Sequence, residues 1–304
     1  MSHVLTDRDD QLGSNFLPRI SDYIFSKHHN IQLYRSPRFR YPNSIYNYPF
    51  VKYSICNNDV KSSHPYFGGV CGRQATSVML IKQDLISHFN ENYKQDFYKL
   101  ICEKAPQTWK LPWEKDEKVI VFHLRLSDGR HRGYNGGDYK DYNGKGAALY
   151  FKDLIENNKF NQYSKEKMNN YSGSHGYSWG NLRHANAQCC MSLDKLENMI
   201  KDFKIKYPEK RIFVVTKLGH NKNVNKKLKS ICNNNDVNIL SNGSEDFDLW
   251  CMIHSDILVF SKSSYPLIAG YFHQGSHVYY QYWGVFACAG LGTKYDKSNW
   301  IAFE

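Results

Sequence analysis

What the 304-residue sequence lacks narrows the field first. No window of 18 or more residues is apolar and uncharged, so no bilayer-spanning helix is expected. The first thirty residues do not show the basic-then-apolar order of a secretion signal, and a soluble, cytoplasmic protein is the expectation. Cysteine is sparse, at 56, 71, 102, 189, 190, 232, 251 and 288, without a Cys-x-x-Cys pair or a metal-ligand rhythm with histidine. Reduced structural thiols follow from that. The sequons at Asn170 and Asn242 therefore carry little weight, since they matter only on the secretory route. Acidic residues are short as well, 29 against 40 Lys and Arg, and the net charge of +11 favours an anionic partner. Nucleotides, phosphorylated sugars, anionic lipid and nucleic acid all qualify. The lysines at 217, 222, 226, 227 and 229 read as the solvated face of a helix, and no known nucleic-acid module is present, which argues against nucleic acid.

What is present is a chain long enough for one large α/β domain or two modest ones. The 23 Tyr and 17 Phe suit carbohydrate or base stacking and suit a core equally well, and most are read as core. Before residue 117, PFVKYSIC (49–56) reads as a short strand. It leads through the glycine-rich HPYFGGVCGRQ (64–74), which carries Gly68 and Gly69, into a helical pattern, and DFYKLICEKA (96–105) reads as a second helix. From 119 onward strand and helix alternate: strands at 119–126, 211–217, 237–241, 256–260 and 277–283, helices at 192–207, 221–233, 246–255 and 263–272. Crossovers of that length require parallel strands, hence a Rossmann-like sheet whose ligands sit at the carboxyl ends. The boundary is placed near 117, giving an N-terminal domain 1–117 and a C-terminal domain 118–304. The oversized insertion 129–191 emerges where a ligand should bind and reads as a substrate-shaping loop.

Two stretches carry chemistry. VIVFHLRLSDG (119–129) starts as a buried strand and ends in His123, Arg125 and Asp128, where an anion could be clamped and a hydroxyl or base oriented. The plain alternative is a strand-end ion pair between Arg125 and Asp128. In DILVFSKSSYPLIAGYF (256–272) a strand runs into Ser261, Lys262, Ser263 and Ser264 and then a helix. Hydroxyls and free N–H groups at a helix start form an anion site, where capping alone would explain one serine. Asp246 and Asp248 formally make the Asp-x-Asp of a metal-dependent GT-A enzyme. Acidic residues at the start of an apolar-faced helix are explained as well by capping and the helix dipole.

Together these stretches resemble the GT-B fucosyltransferase superfamily, which includes the core α1,6, the α1,2 and the protein O-fucosyltransferases. His123, Arg125, Asp128, Asp248, Asp256, Ser263 and Ser264 match its motifs. Leu126 stands where many members have a second Arg, and Gly68 and Gly69 only echo the family's N-terminal glycine loop. The resemblance implies a GT-B-like fold of two Rossmann-like domains facing a cleft, the C-terminal one binding the nucleotide sugar. It implies inverting transfer of a sugar, L-fucose from GDP-fucose or a UDP-sugar such as UDP-xylose, to a glycan or glycoprotein hydroxyl, with no cofactor and no required metal. Arg125 and Asp128 would be catalytic, and His123, Ser261, Ser263, Ser264, Asp248, Gly68 and Gly69 would bind the donor. His131 and Asp138 are further candidate bases beside Asp128. A basic nucleic-acid-binding protein is the alternative from another class.

Overall fold

The computed structural model describes residues 2–5, 12–56, 92–126, 191, 193–218, 222–241, 243–261, 263, 265–281 and 299–303. These group into two compact units. The first begins with strand β1 (Ser2–Val4), helix α1 (Leu12–His29) and strand β2 (Gln32–Tyr34), the two strands pairing in parallel. A 3-10 turn at Ile45–Asn47 leads into the short helix α2 (Tyr48–Val51), and α3 (Lys94–Lys104) follows.

The second unit opens at β3 (Val119–His123) and continues through α4 (Leu193–Lys206), β4 (Arg211–Val215), α5 (Lys222–Asn234), β5 (Asn238–Leu240), α6 (Glu245–Ile253) and β6 (Ile257–Phe260). The chain then contributes α7 (Tyr265–Phe272) to the first unit and returns for β7 (His277–Gln281) and β8 (Trp300–Phe303).

Most of the described side chains of helix α1 are buried. Phe16, Ile20 and Ile24 are fully covered, and so are Asn15, Arg19, Asp22 and Ser26 on the polar side. The Arg19 guanidinium lies 3.9 Å from the centre of the Phe39 ring, which lets an arginine be buried against an apolar face. Phe16 meets Phe50 and the α7 residues Tyr271 and Phe272 edge-on, with ring centres 5.7–6.3 Å apart. Helix α7 is apolar around its whole circumference, as a helix inside a core must be. The strand expected at 49–56 is not formed. Pro49 sits in the first turn of α2, where its fixed φ and missing N–H are an advantage, whereas inside a strand it would delete a ladder bond. Only Ile55 pairs, as an isolated bridge to Arg35.

The second unit is built on a six-stranded, all-parallel sheet in the order β5-β4-β3-β6-β7-β8. Counted from its first strand, that is the 3-2-1-4-5-6 order of a Rossmann-like sheet. The expectation of parallel strands holds, with a sixth strand, β8, beyond the five read from the sequence. Leu193, Leu196, Ile200 and Phe203 recur at helical spacing along α4. With Val224, Leu228 and Ile231 of α5 they pack on Ile120 and Phe122 of β3, Ile212 and Val214 of β4, and Ile257 and Val259 of β6. Each such side chain contributes about 1.5–3 kcal/mol by leaving water.

The amino ends of the strands are tied by polar contacts. Lys210 Nζ lies 2.8 Å from Asp256 Oδ2, and the Asp256 N–H donates to the Val119 carbonyl at 3.0 Å. A second ion pair joins Arg211 to Glu117 at 2.9 Å.

Candidate functional site at the strand-order reversal

Strand β3 is the pivot of the sheet: the chain winds from it toward β4 and β5, then returns to its other side as β6, β7 and β8. The connections after β3 and β6 lead to strands on opposite sides of that pair, and in sheets of this topology the carboxyl ends at such a reversal are where ligands bind. The sequence places its polar residues at that spot. Ile120, Phe122, Leu124 and Leu126 belong to the core under α4 and α5. By the two-residue period of a strand, His123 takes the opposite face, and Arg125 follows two residues later.

His123 is 8% exposed, and burial, followed by the charge of Arg125, pushes its pKa down to about 3. The imidazole is therefore neutral at physiological pH. Arg125 is half-buried. Regular pairing of β3 with β6 ends at His123 opposite Phe260, yet the two chains stay joined one step further. The Ser261 N–H donates to the His123 carbonyl at 3.3 Å, and the Arg125 N–H donates to the Ser261 hydroxyl at 3.2 Å. On the other flank the Leu124 N–H donates to the Val215 carbonyl at 3.0 Å. The segment carrying Arg125 is thus fastened to both neighbouring strands.

Asp248 lies in the first turn of α6, the helix between β5 and β6, which packs against β3. Ser244 caps that helix, its hydroxyl accepting from the Phe247 N–H at 3.2 Å. Half-buried, Asp248 has its carboxyl pKa pushed up to about 7, first by burial and then by the charge of Glu245. With Asp246 it falls in the acidic first turn of a serine-capped helix, a placement that dipole and cap explain without a metal. Among the described residues no group of three or more His, Cys, Asp or Glu side chains is placed to hold a metal ion.

The structure therefore joins the backbone of His123 and Arg125 to Ser261 by direct hydrogen bonds, and sets Asp248 on a helix against the same strand. Ser263 is buried two residues beyond Ser261. Asp128, His131, Asp138, Ser264, Gly68 and Gly69 lie outside the described residues. Thr216, which the sequence reading passed over, is 2% exposed just past β4, and its N–H still donates to the Leu240 carbonyl at 3.0 Å. Its hydroxyl has no hydrogen-bond partner among the described residues. The signal was a single hydroxyl ending an apolar run, RIFVVT, the same pattern that marked Ser261 after DILVF.

Among the described residues no helix is long and apolar enough to cross a membrane. Compared with known proteins, the sequence matches no protein-family model and no curated protein.

Proposed function

We propose that the chain is an inverting glycosyltransferase of the GT-B type, moving a sugar from a nucleotide diphosphate donor to an acceptor hydroxyl of a glycan or glycoprotein. GDP-fucose is the first candidate donor and a UDP-sugar such as UDP-xylose the second. The observation that carries the reading is the fastening of Arg125 and His123 to Ser261 at the reversal point of a parallel sheet. The motif resemblance around His123, Arg125, Asp248, Asp256 and Ser263 supplies the donor class.

In this reading the acceptor oxygen bonds to the anomeric carbon as the bond from that carbon to the diphosphate oxygen breaks on the opposite face. The electron pair stays with the diphosphate, and the acceptor's proton passes to a base, for which Asp128, His131 and Asp138 are the candidates. Negative charge grows on the leaving group, so the Arg125 guanidinium, carried on a fastened backbone, would act more strongly in the transition state than in the ground state. Ser263 and Ser264 would add hydrogen bonds to the same diphosphate. Neutral His123 donates or accepts one hydrogen bond without repelling Arg125. The Asp248 carboxylate would accept from the N–H groups of a nucleobase.

A thermal-shift screen against GDP, UDP, GDP-fucose, UDP-xylose and a generic RNA tests this. A ligand at ~100 times its Kd stabilises the fold by about 2.7 kcal/mol, or a few degrees in Tm. Stabilisation by GDP and GDP-fucose is expected. A uridine preference would move the donor to the second candidate. Binding of RNA alone, weakening steeply with salt, would replace the transferase reading with a nucleic-acid one.

A further inference from the structure

We infer that Ser261 is a positioning residue that acts through Arg125, holding the guanidinium at the crevice without touching the ligand itself. The inference rests on the proposed nucleotide-diphosphate reading.

In a parallel ladder one residue of a strand serves two residues of its neighbour, its N–H donating to one carbonyl and its own carbonyl accepting from the N–H two residues on. Ser261 performs the first half, donating to the His123 carbonyl. For the second half the Arg125 N–H goes to the serine hydroxyl instead of the serine carbonyl. A side chain has taken over from the backbone at the last rung. The chain after β6 is thereby released from the sheet to run on to α7, while Arg125 keeps an acceptor for its N–H.

Three facts favour positioning over direct contact with a ligand. Ser261 is 0% exposed, so its hydroxyl is out of a ligand's reach. That hydroxyl already accepts from Arg125. Arg125 is also the residue immediately after Leu124, which is fixed to β4 through Val215, so losing the Ser261 contact frees one flank of a segment otherwise held on both. A guanidinium that must meet a diphosphate within a few tenths of an ångström is sensitive to that freedom. Burial thus argues against the direct phosphate contact expected of Ser261 from the sequence.

A double-mutant cycle on the full chain, read by GDP and UDP affinity in calorimetry, tests the inference. Ser261→Ala is expected to weaken nucleoside-diphosphate binding about five- to ten-fold, the worth of one hydrogen bond, and Arg125→Ala about thirty-fold or more. In the Arg125→Ala background, Ser261→Ala should change affinity less than two-fold, because no guanidinium remains to be misplaced. Ser261→Cys keeps the volume with a weak acceptor, so it reads the same contact should the alanine variant not fold, and is expected to bind like Ser261→Ala. Full additivity in the cycle, or wild-type affinity in Ser261→Cys, would overturn the inference while leaving the nucleotide reading intact. A wild-type protein that binds neither nucleotide would overturn both.

Discussion

The neutral imidazole of His123 makes acid stability a direct readout of the site. Its pKa in the fold, about 3, lies below the ordinary value of about 6.5 that it regains on unfolding. The unfolded chain therefore binds a proton that the folded chain refuses, and the stability present above pH 6.5 is lost as the pH falls toward 3. At pH 5 the unfolded imidazole is nearly all protonated and the folded one is neutral, so the penalty is about 2 kcal/mol. At pH 7 it is only about 0.2 kcal/mol. Urea unfolding of the wild type and of His123→Gln at both pH values isolates the effect, because every other titrating group is common to the pair. The wild type should lose about 2 kcal/mol more than the variant between pH 7 and pH 5, a difference of roughly 0.7–1 M in the urea midpoint for a slope of 2–3 kcal/mol per M. Equal losses in the two proteins would mean that His123 takes up its proton in the fold, and the buried, cation-facing site described for it would be wrong.

Asp248 runs in the opposite sense. Its folded pKa, about 7, exceeds the ordinary 3.8, so its contribution is complete below pH 3.8 and lost progressively as the pH rises to about 7. Asp248→Asn should raise stability at pH 8 by about 1–2 kcal/mol after allowance for its partial exposure, and by roughly 40% of that at pH 5, as differential scanning calorimetry can check. Gly275 precedes β7 in a turn where the Ser276 N–H donates to the Asp256 carbonyl at 2.7 Å, and a Cβ there would overlap the carbonyl oxygens of Ser255 and Asp256. Gly275→Ala is expected to cost about 1–3 kcal/mol in chemical denaturation, and an unchanged midpoint would show that the turn yields freely. If Arg125 and hydroxyl groups neutralise the diphosphate without a metal, GDP affinity should be the same in EDTA as in millimolar manganese. Strict manganese dependence would favour the GT-A alternative.

The sheet was legible where a strand is short, apolar and followed by an amphipathic helix. Leu193, Leu196, Ile200 and Phe203 announced α4 by spacing alone, and the five strands from 119 onward lie where the alternation put them, to within a few residues. Helix α1 was hidden because Arg19, Asp22 and Ser26 are buried alongside Phe16 and Ile20, so polarity does not separate its buried side chains from the rest. The short strands β1, β2 and β8 span only three or four residues each, too few for a period to show. PFVKYSIC misled through its apolar content, since Pro49 decides the local conformation. At the site, residue identity could be read and partnership could not. His123, Arg125 and Ser261 stood out as polar groups ending apolar runs, but the bond between residues 136 positions apart exists only once β3 and β6 are neighbours. The perturbed ionisations of His123 and Asp248 come mainly from burial, which a linear sequence does not record.

The central claim is that Arg125 meets a nucleotide diphosphate, and calorimetric titration of GDP and GDP-fucose into the wild type and Arg125→Ala, with Tm recorded on the same samples, tests it most directly. Measurable wild-type binding is expected, with a loss of about thirty-fold or more in Arg125→Ala and a melting temperature within a degree or two of wild type. Arg125→Lys, which keeps the charge without the planar fork, should recover only part of the affinity. Unchanged nucleotide affinity together with a lowered Tm would contradict the account and leave Arg125 as one half of a strand-end ion pair.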